Sequence, residues 1–319
     1  MKRFRVLSID GGGVRGIYPL RYLAEIRRFT EEPIHRYFDL IVGTSSGGIA
    51  AIGLGLGCEP EELISIYTKH AKSIFKTRFL WRNGCFNSTY SITDLEKVLK
   101  EIFQDKKIGD AKTRICIPAV ELKTGRCKVF KTDHHPDLRE DWKVPAWEAA
   151  CATAAAPVYF ETFIAASGQH LIDGGVWAAN PALVGVCEAV RFFDKRFDEI
   201  ELLSLGTGEE SYQDSSAKKL DWGWVQWITG KKLLSIVRAT HSQSVLHMVD
   251  YMNLRQFKRI DDQLRVRCEL SDLSKVPYLE SLAKQRAQDT YADVLPTFFN
   301  DPATQYTSTR VKETQNGKM

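Results

Sequence analysis

The sequence predicts an α/β layered domain. Three observations carry that reading. Apolar runs of strand length alternate with segments of helical periodicity. Two of those runs end directly in glycine-rich turns that open a helix. The composition is that of an ordinary globular chain, 44% hydrophobic and 26% charged over 319 residues, which excludes disorder, collagen and coiled coil as descriptions of the whole. One or two domains suit this length. The formal net charge of +4 is compatible with an anionic partner and too small to argue for DNA or RNA.

In chain order, Val6-Leu7-Ser8-Ile9 reads as a buried strand closed by Asp10 and glycines. Ile17 to Phe29 carries apolar residues at helical spacing, with Pro19 tolerated in the first turn. Phe38 to Val42 is a second apolar run, and Gly48 to Gly57 follows as a helix. Glu61 to Phe75 and Ser91 to Phe103 read as amphipathic helices, the latter with Ser91 or Thr93 as cap. Arg114 to Val120 and Arg126 to Lys131 are strands joined by a turn at Thr124-Gly125. Pro145 to Ala156 is an alanine-rich helix stopped by Pro157, and His170-Leu171-Ile172 a short strand ending at Asp173-Gly174-Gly175. Ala182 to Phe193 is helical, Glu201 to Leu205 a strand, Leu220 to Leu254 helical in flavour, and Asn300 to Met319 a loose polar tail.

No apolar run approaches the ~18 residues of a spanning helix, and no signal peptide is legible. The seven cysteines are odd in number and none lies three residues from another, a pattern that disfavours both a disulfide framework and a zinc site. The expectation is a cytoplasmic protein without a metal.

The stretch Asp10-Gly11-Gly12-Gly13-Val14-Arg15-Gly16 lies between a strand and a helix. Adjacent glycines let the backbone bring its N–H groups to a ligand, and the following helix adds its positive end. Two chemistries fit: a dinucleotide phosphate, or the oxyanion of acyl transfer. For the first, Gly11, Gly13 and Gly16 match G-x-G-x-x-G with Glu31 or Glu32 at about the right distance, although the acid should end a second strand.

Gly43-Thr44-Ser45-Ser46-Gly47 matches G-x-S-x-G between a strand and a helix, the setting of a nucleophile elbow. Gly43 and Gly47 are small because the turn leaves no room for side chains, and the helix N-terminus favours charge developing at Ser45. Ser46 reads as a cap. The serine needs a base. His241 and His247 fall in a helical stretch, whereas Asp173 ends a strand before two glycines and is displayed at a turn. Both remain candidates on pattern alone.

Together the three motifs resemble the patatin-like phospholipases: the Asp10–Gly16 loop, Gly43-Thr44-Ser45-Ser46-Gly47-Gly48 and Asp173-Gly174-Gly175. Ala152-Thr153-Ala154-Ala155-Ala156-Pro157 is similar to a fourth family motif, with Ala154 where the family more often has serine. The resemblance covers about residues 4 to 210. It implies a three-layer α/β/α fold with a mostly parallel central sheet, and a Ser45–Asp173 dyad. Gly11, Gly12 and Gly13 would form the oxyanion hole, with Arg15 nearby and Gly43, Gly47, Gly174 and Gly175 in support. The implied reaction is hydrolysis of glycerophospholipid esters through an acyl-serine, with no cofactor. An aspartate base needs partial desolvation to raise it above the ordinary carboxylate pKa of about 3.9.

The chain also resembles the compact bacterial members that serve cyclic-oligonucleotide anti-phage systems, in length and in its extra C-terminal third. That implies a cyclic dinucleotide activator, a homo-oligomer, and action at the inner membrane surface. The domain expectation is a catalytic core over 1–210, a helical extension over 211–300 serving as lid, membrane or effector contact, and a polar tail over 301–319. In the extension, Trp222, Trp224 and Trp227 with Lys231 and Lys232 suit a lipid interface or a packed core. Arg255, Lys258, Arg259, Arg265 and Arg267 suit a phosphate or a solvated charged face.

Overall fold

The computed structural model describes residues 3–76, 88–210 and 232–309. Strand β1 (Phe4–Ile9) leads through α1 (Ile17–Arg27) to β2 (Leu40–Gly43). From there the chain runs through α2 (Ser46–Leu56), α3 (Pro60–Ser65), α4 (Ala71–Ile74) and α5 (Ile92–Phe103) to β3 (Arg114–Glu121). Then come β4 (Arg126–Lys131), α6 (Ala146–Ala154), β5 (Phe163–Ile164), β6 (His170–Asp173), α7 (Ala182–Phe193), β7 (Ile200–Leu205) and β8 (Glu209–Glu210). The remaining elements are α8 (Lys232–Tyr251), β9 (Gln256–Ile260), β10 (Gln263–Leu264) and α9 (Val276–Phe298).

The main sheet runs β5-β6-β3-β2-β1-β7-β9, with β4 also on β3. Its centre is parallel: β1 pairs with β2 and β7, β2 with β3, and β7 with β9. The β5, β6, β3 and β4 pairings are antiparallel. Central strands are covered on both faces, which is why they read as continuous apolar runs. Successive side chains point to opposite faces. Val6, Val42 and Leu202 join Val186 of α7 and Val245 of α8 in one core. Leu7, Ile41 and Leu203 join Leu23 of α1, Ala50 of α2, Leu99 of α5 and Leu279 of α9 in the other. The fold is a three-layer α/β/α sandwich.

Three expectations change. The helix expected over Glu61 to Phe75 is broken by a π-helical stretch, Ile66–His70, between α3 and α4. The expected division at 210 is crossed by the sheet, because β9 pairs with β7 over five residues and α9 packs on α1. The tail is tied down as far as residue 309. Arg5 donates to the carbonyls of Phe298 (2.8 Å) and Asp301 (2.6 Å). Asp133 accepts from Tyr306 Oη at 2.5 Å, from Ser308 Oγ and, through its carbonyl, from Thr309 Oγ1 at 2.8 Å. A buried carboxylate supplies the partners that a polar tail needs in order to dock. Trp222, Trp224, Trp227 and Lys231 lie outside the described residues, and Lys232 is the first residue of α8.

Candidate active site

The parallel strands β1 and β2 end side by side, Ile9 opposite Gly43, so both glycine turns emerge at one edge of the sheet. Such carboxyl ends are where open α/β sheets bind ligands.

Ser45 sits between β2 and α2 with φ 56° and ψ −126°, a conformation that L residues rarely adopt and that costs about 1–3 kcal/mol. The elbow is held by its surroundings. A Cβ on Gly43 would overlap the Gly47 carbonyl, and one on Gly47 would overlap the carbonyls of Ile9 and Asp10. The Ser45 N–H donates to Thr153 Oγ1 at 3.0 Å, and that hydroxyl donates to the Pro118 carbonyl at 2.5 Å. Thr153 comes from the Ala152–Pro157 motif on α6, so one buried hydroxyl ties the elbow to β3.

Asp173 closes β6, and its Oδ1 accepts from Gly175 N–H at 2.6 Å. Its Oδ2 is buried with no hydrogen bond closed among the described residues. Burial raises the Asp173 pKa, opposed first by the charge of Arg238, then by the Ser45 hydroxyl, which stands close enough to lower it, and by the Gly175 N–H. Asp173 is thus the carboxylate that meets Ser45. His241 and His247 lie on α8 and hydrogen-bond neither Ser45 nor Asp173; His241 Nδ1 is buried without a partner among the described residues, and burial lowers its pKa.

The three amides of the glycine loop are not equivalent, which corrects the expectation of a ready-made trio. The Gly11 N–H donates to the Ala179 carbonyl at 3.1 Å. The Gly12 N–H donates to Ser46 Oγ at 2.9 Å. Ser46 therefore binds the loop and does not cap α2, which has no side-chain cap. Gly13 has φ +57°, and a Cβ there would overlap the Leu270 carbonyl. Its N–H has no partner among the described residues and is the loop's open donor. Leu270 also accepts from Val14 N–H at 2.8 Å, so the segment after β10 clamps the loop. Arg15 donates to the Gly208 carbonyl at 3.3 Å.

Beneath the loop, Asp10 is buried and held by Arg259, which also reaches Asp261 (both 2.6 Å) and Ser204 Oγ (2.8 Å). Burial outweighs the shared guanidinium and brings the Asp10 pKa up to about 6. Arg259 had read as part of a phosphate-binding or solvated basic face, and it is instead a buried strut. Most of that stretch is likewise paired: Arg255 with Glu201, Lys258 with Asp293 and Arg267 with Glu269. The dinucleotide reading loses its acid, since Glu31 and Glu32 lie in the turn after α1 while β2 begins only at Leu40.

Two cavities meet at the site. An apolar pocket opens on Ser45 and is walled by Ile49, Ile66, Ile74, Phe75, Leu95 and Phe160. A larger one of about 540 Å³ lies on the other side of the glycine loop, against α8. Away from both, Cys116, His134 and Glu188 bring potential ligand atoms within 4.8 Å of one another. There Glu188 Oε2 is taken by Lys131 Nζ at 2.6 Å and Oε1 by His134 Nε2 at 2.9 Å, so the cluster is a closed hydrogen-bonded network.

A family model described as patatin-like phospholipase matches residues 7–186. The chain is 34% identical to a cGAMP-activated phospholipase of Escherichia coli, over 98% of this chain and 97% of that one. It is 35% identical to a cGAMP-activated phospholipase of Pseudomonas aeruginosa, over 82% and 78%. A cUMP-AMP-activated phospholipase of Escherichia coli is 32% identical over 64% of each chain. The chain belongs to the patatin-like phospholipase family.

Proposed function

We propose that this protein is a phospholipase, a serine acyl hydrolase of glycerophospholipid esters that a cyclic dinucleotide switches on, serving anti-phage defence. The observation that carries the hydrolase reading is the pairing of a strained, buried Ser45 with Asp173 at the mouth of an apolar pocket. The acyl chain enters the pocket between α2, α5 and the π-helical stretch, which sets the ester carbonyl over Ser45. Asp173 Oδ2 takes the Ser45 proton as Oγ attacks the carbonyl carbon. Negative charge then grows on the carbonyl oxygen, where the Gly13 N–H and the α2 N-terminus stabilise it. The Gly12 N–H joins them once Ser46 releases it. As the tetrahedral intermediate collapses, Asp173 returns its proton to the departing lysolipid oxygen. Water, deprotonated by the same carboxylate, then hydrolyses the acyl-serine.

Burial of Asp173 suits this role, because a carboxylate with a raised pKa is a stronger base. Cyclic-dinucleotide activation is proposed because relatives that align with nearly the whole chain are cGAMP-activated phospholipases. Peripheral contact with the inner membrane surface from the cytoplasm, and a homo-oligomeric active form, complete the proposal. Among the described residues no helix is long and apolar enough to cross a membrane.

The test is fatty-acid release from mixed phospholipid vesicles, with and without a panel of cyclic dinucleotides that includes cGAMP and cUMP-AMP, using Ser45→Ala as blank. Release by wild type only with nucleotide supports the whole reading. Release without nucleotide keeps the hydrolase and removes the switch. No release with any cyclic dinucleotide overturns the proposal.

A further inference from the structure

The cavity of about 540 Å³ shares one charged side chain with the apolar pocket on Ser45: Arg238, on α8. Its Nη2 donates to the Gly11 carbonyl at 2.6 Å. That carbonyl belongs to the same peptide group as the Gly12 N–H, which donates to Ser46 Oγ at 2.9 Å. One peptide plane of the glycine loop is therefore pinned at both ends, its carbonyl by Arg238 and more weakly by Thr207 Oγ1 at 3.4 Å, and its N–H by Ser46. In this arrangement the Gly12 N–H is turned away from duty at Ser45.

The charges around the cavity are unevenly satisfied. Asp10 and Asp261 share Arg259, and Arg267 pairs with Glu269 at 3.2 Å. Arg238 forms no ion pair within 4.0 Å with any described residue; its one hydrogen bond among the described residues is to the neutral Gly11 carbonyl, and the strongest opposing charge acting on it is the buried Asp173 carboxylate. A guanidinium held by a neutral acceptor at a cavity wall is a poor ground state beside an anionic ligand. Charge-assisted bonds to phosphate are roughly twice as strong as neutral ones, and Arg takes them two at a time. The volume lies in the range of small-molecule sites.

We propose that this cavity is a phosphodiester-binding site anchored by Arg238, and that a phosphodiester there draws Arg238 off the Gly11 carbonyl and frees the Gly11–Gly12 peptide to complete the oxyanion hole. Arg238 is a latch on the catalytic loop, and α8 carries it. The coupling half rests on the hydrolase reading above, whereas the binding half does not. Two phosphodiesters have the required chemistry, a cyclic dinucleotide and the lipid's own headgroup.

The experiment uses the full-length chain as wild type, Arg238→Gln and Ala239→Trp. Ala239 is an exposed α8 residue on the cavity wall, so its replacement fills the cavity and spares the latch. Calorimetry measures binding of cGAMP, and a short-chain p-nitrophenyl ester measures turnover without any phosphate in the substrate. Phosphatidylglycerol and diacylglycerol of the same acyl composition are compared in mixed micelles. We expect Arg238→Gln to bind cGAMP at least tenfold more weakly and to turn over the neutral ester without nucleotide faster than nucleotide-free wild type. Ala239→Trp loses binding and stays at the nucleotide-free rate when cGAMP is added.

If cGAMP binds none of the three, a tenfold fall in the phosphatidylglycerol-to-diacylglycerol ratio in Arg238→Gln assigns the site to the lipid phosphate. Wild-type cGAMP affinity in both variants, with an unchanged lipid ratio, overturns the proposal, as does an Arg238→Gln enzyme that still needs nucleotide as wild type does. Should wild type hydrolyse nothing, the hydrolase reading fails and the latch with it, and the calorimetry still decides the binding site.

Discussion

Replacing Thr153 by valine keeps the shape of a fully buried side chain and deletes one hydroxyl. That hydroxyl accepts the Ser45 N–H at 3.0 Å and donates to the Pro118 carbonyl at 2.5 Å. Valine leaves two buried backbone groups without partners, each worth about 1–3 kcal/mol, so Thr153→Val should lose about 2–6 kcal/mol of stability. The loss falls on a residue already strained at φ 56°, so the elbow is the part that relaxes. A barrier raised by even ~1.4 kcal/mol slows turnover about tenfold, and kcat should fall at least that far. Urea denaturation measures the first quantity, with an unchanged m-value as the sign that only the native state was affected. Turnover of a soluble ester measures the second. Thr153→Ser keeps the hydroxyl and should recover most of kcat while still losing the methyl packed near Gly48. A Thr153→Val enzyme within about 0.5 kcal/mol of wild type, and equally active, would refute the idea that this hydroxyl holds the elbow.

Other consequences are as direct. Asp10 has a folded-state pKa raised from 3.8 to about 6, so the folded chain binds more protons than the unfolded one between those values, and stability from this group is lost as pH rises through that window. The unfolding free energy of wild type minus that of Asp10→Asn should fall by about 2–3 kcal/mol from pH 4 to 6 and be flat on either side. Asp173 is also raised, so the acid limb of kcat/KM should lie above the ~4 of an ordinary carboxylate, and adding Arg238→Gln should move it higher still, because that arginine lowers it. Tyr306→Phe removes one bond to Asp133 and should cost about 1 kcal/mol, with faster amide exchange at 303–309 as a second sign that the tail is docked.

What the sequence showed plainly is what is local. The strands β1 and β2, the glycine loop, the elbow and the Asp173 turn each announce themselves within a few residues. The glycine loop and the elbow come together because the parallel strands β1 and β2 end side by side, while β6 runs antiparallel to β3 and brings Asp173 in beside Ala119. What stayed hidden depends on long-range contact. Arg238 meets Gly11 across 227 positions and Arg259 meets Asp10 across 249, and no spacing rule encodes either. Arg259 looked like one cation among several because burial, and not composition, makes it a strut. The Gly11 and Gly12 amides looked available because the sequence does not show the Ala179 carbonyl or Ser46 Oγ that occupies them. The π-helical break over Ile66–His70 has no glycine or proline to mark it. The tail looked loose because its partner, Asp133, lies in a turn far upstream.

The central claim is that Ser45 is a nucleophile activated by Asp173. A fluorophosphonate probe, which phosphonylates activated serines and needs no lipid surface, tests it when followed by peptide mass spectrometry of the full chain incubated with cGAMP. The account predicts a single phosphonylated residue, Ser45. It also predicts a labelling rate at least a hundredfold lower in Asp173→Asn, whose fold is unchanged by circular dichroism. Label on any other serine, or equally fast labelling of Ser45 in Asp173→Asn, would contradict it.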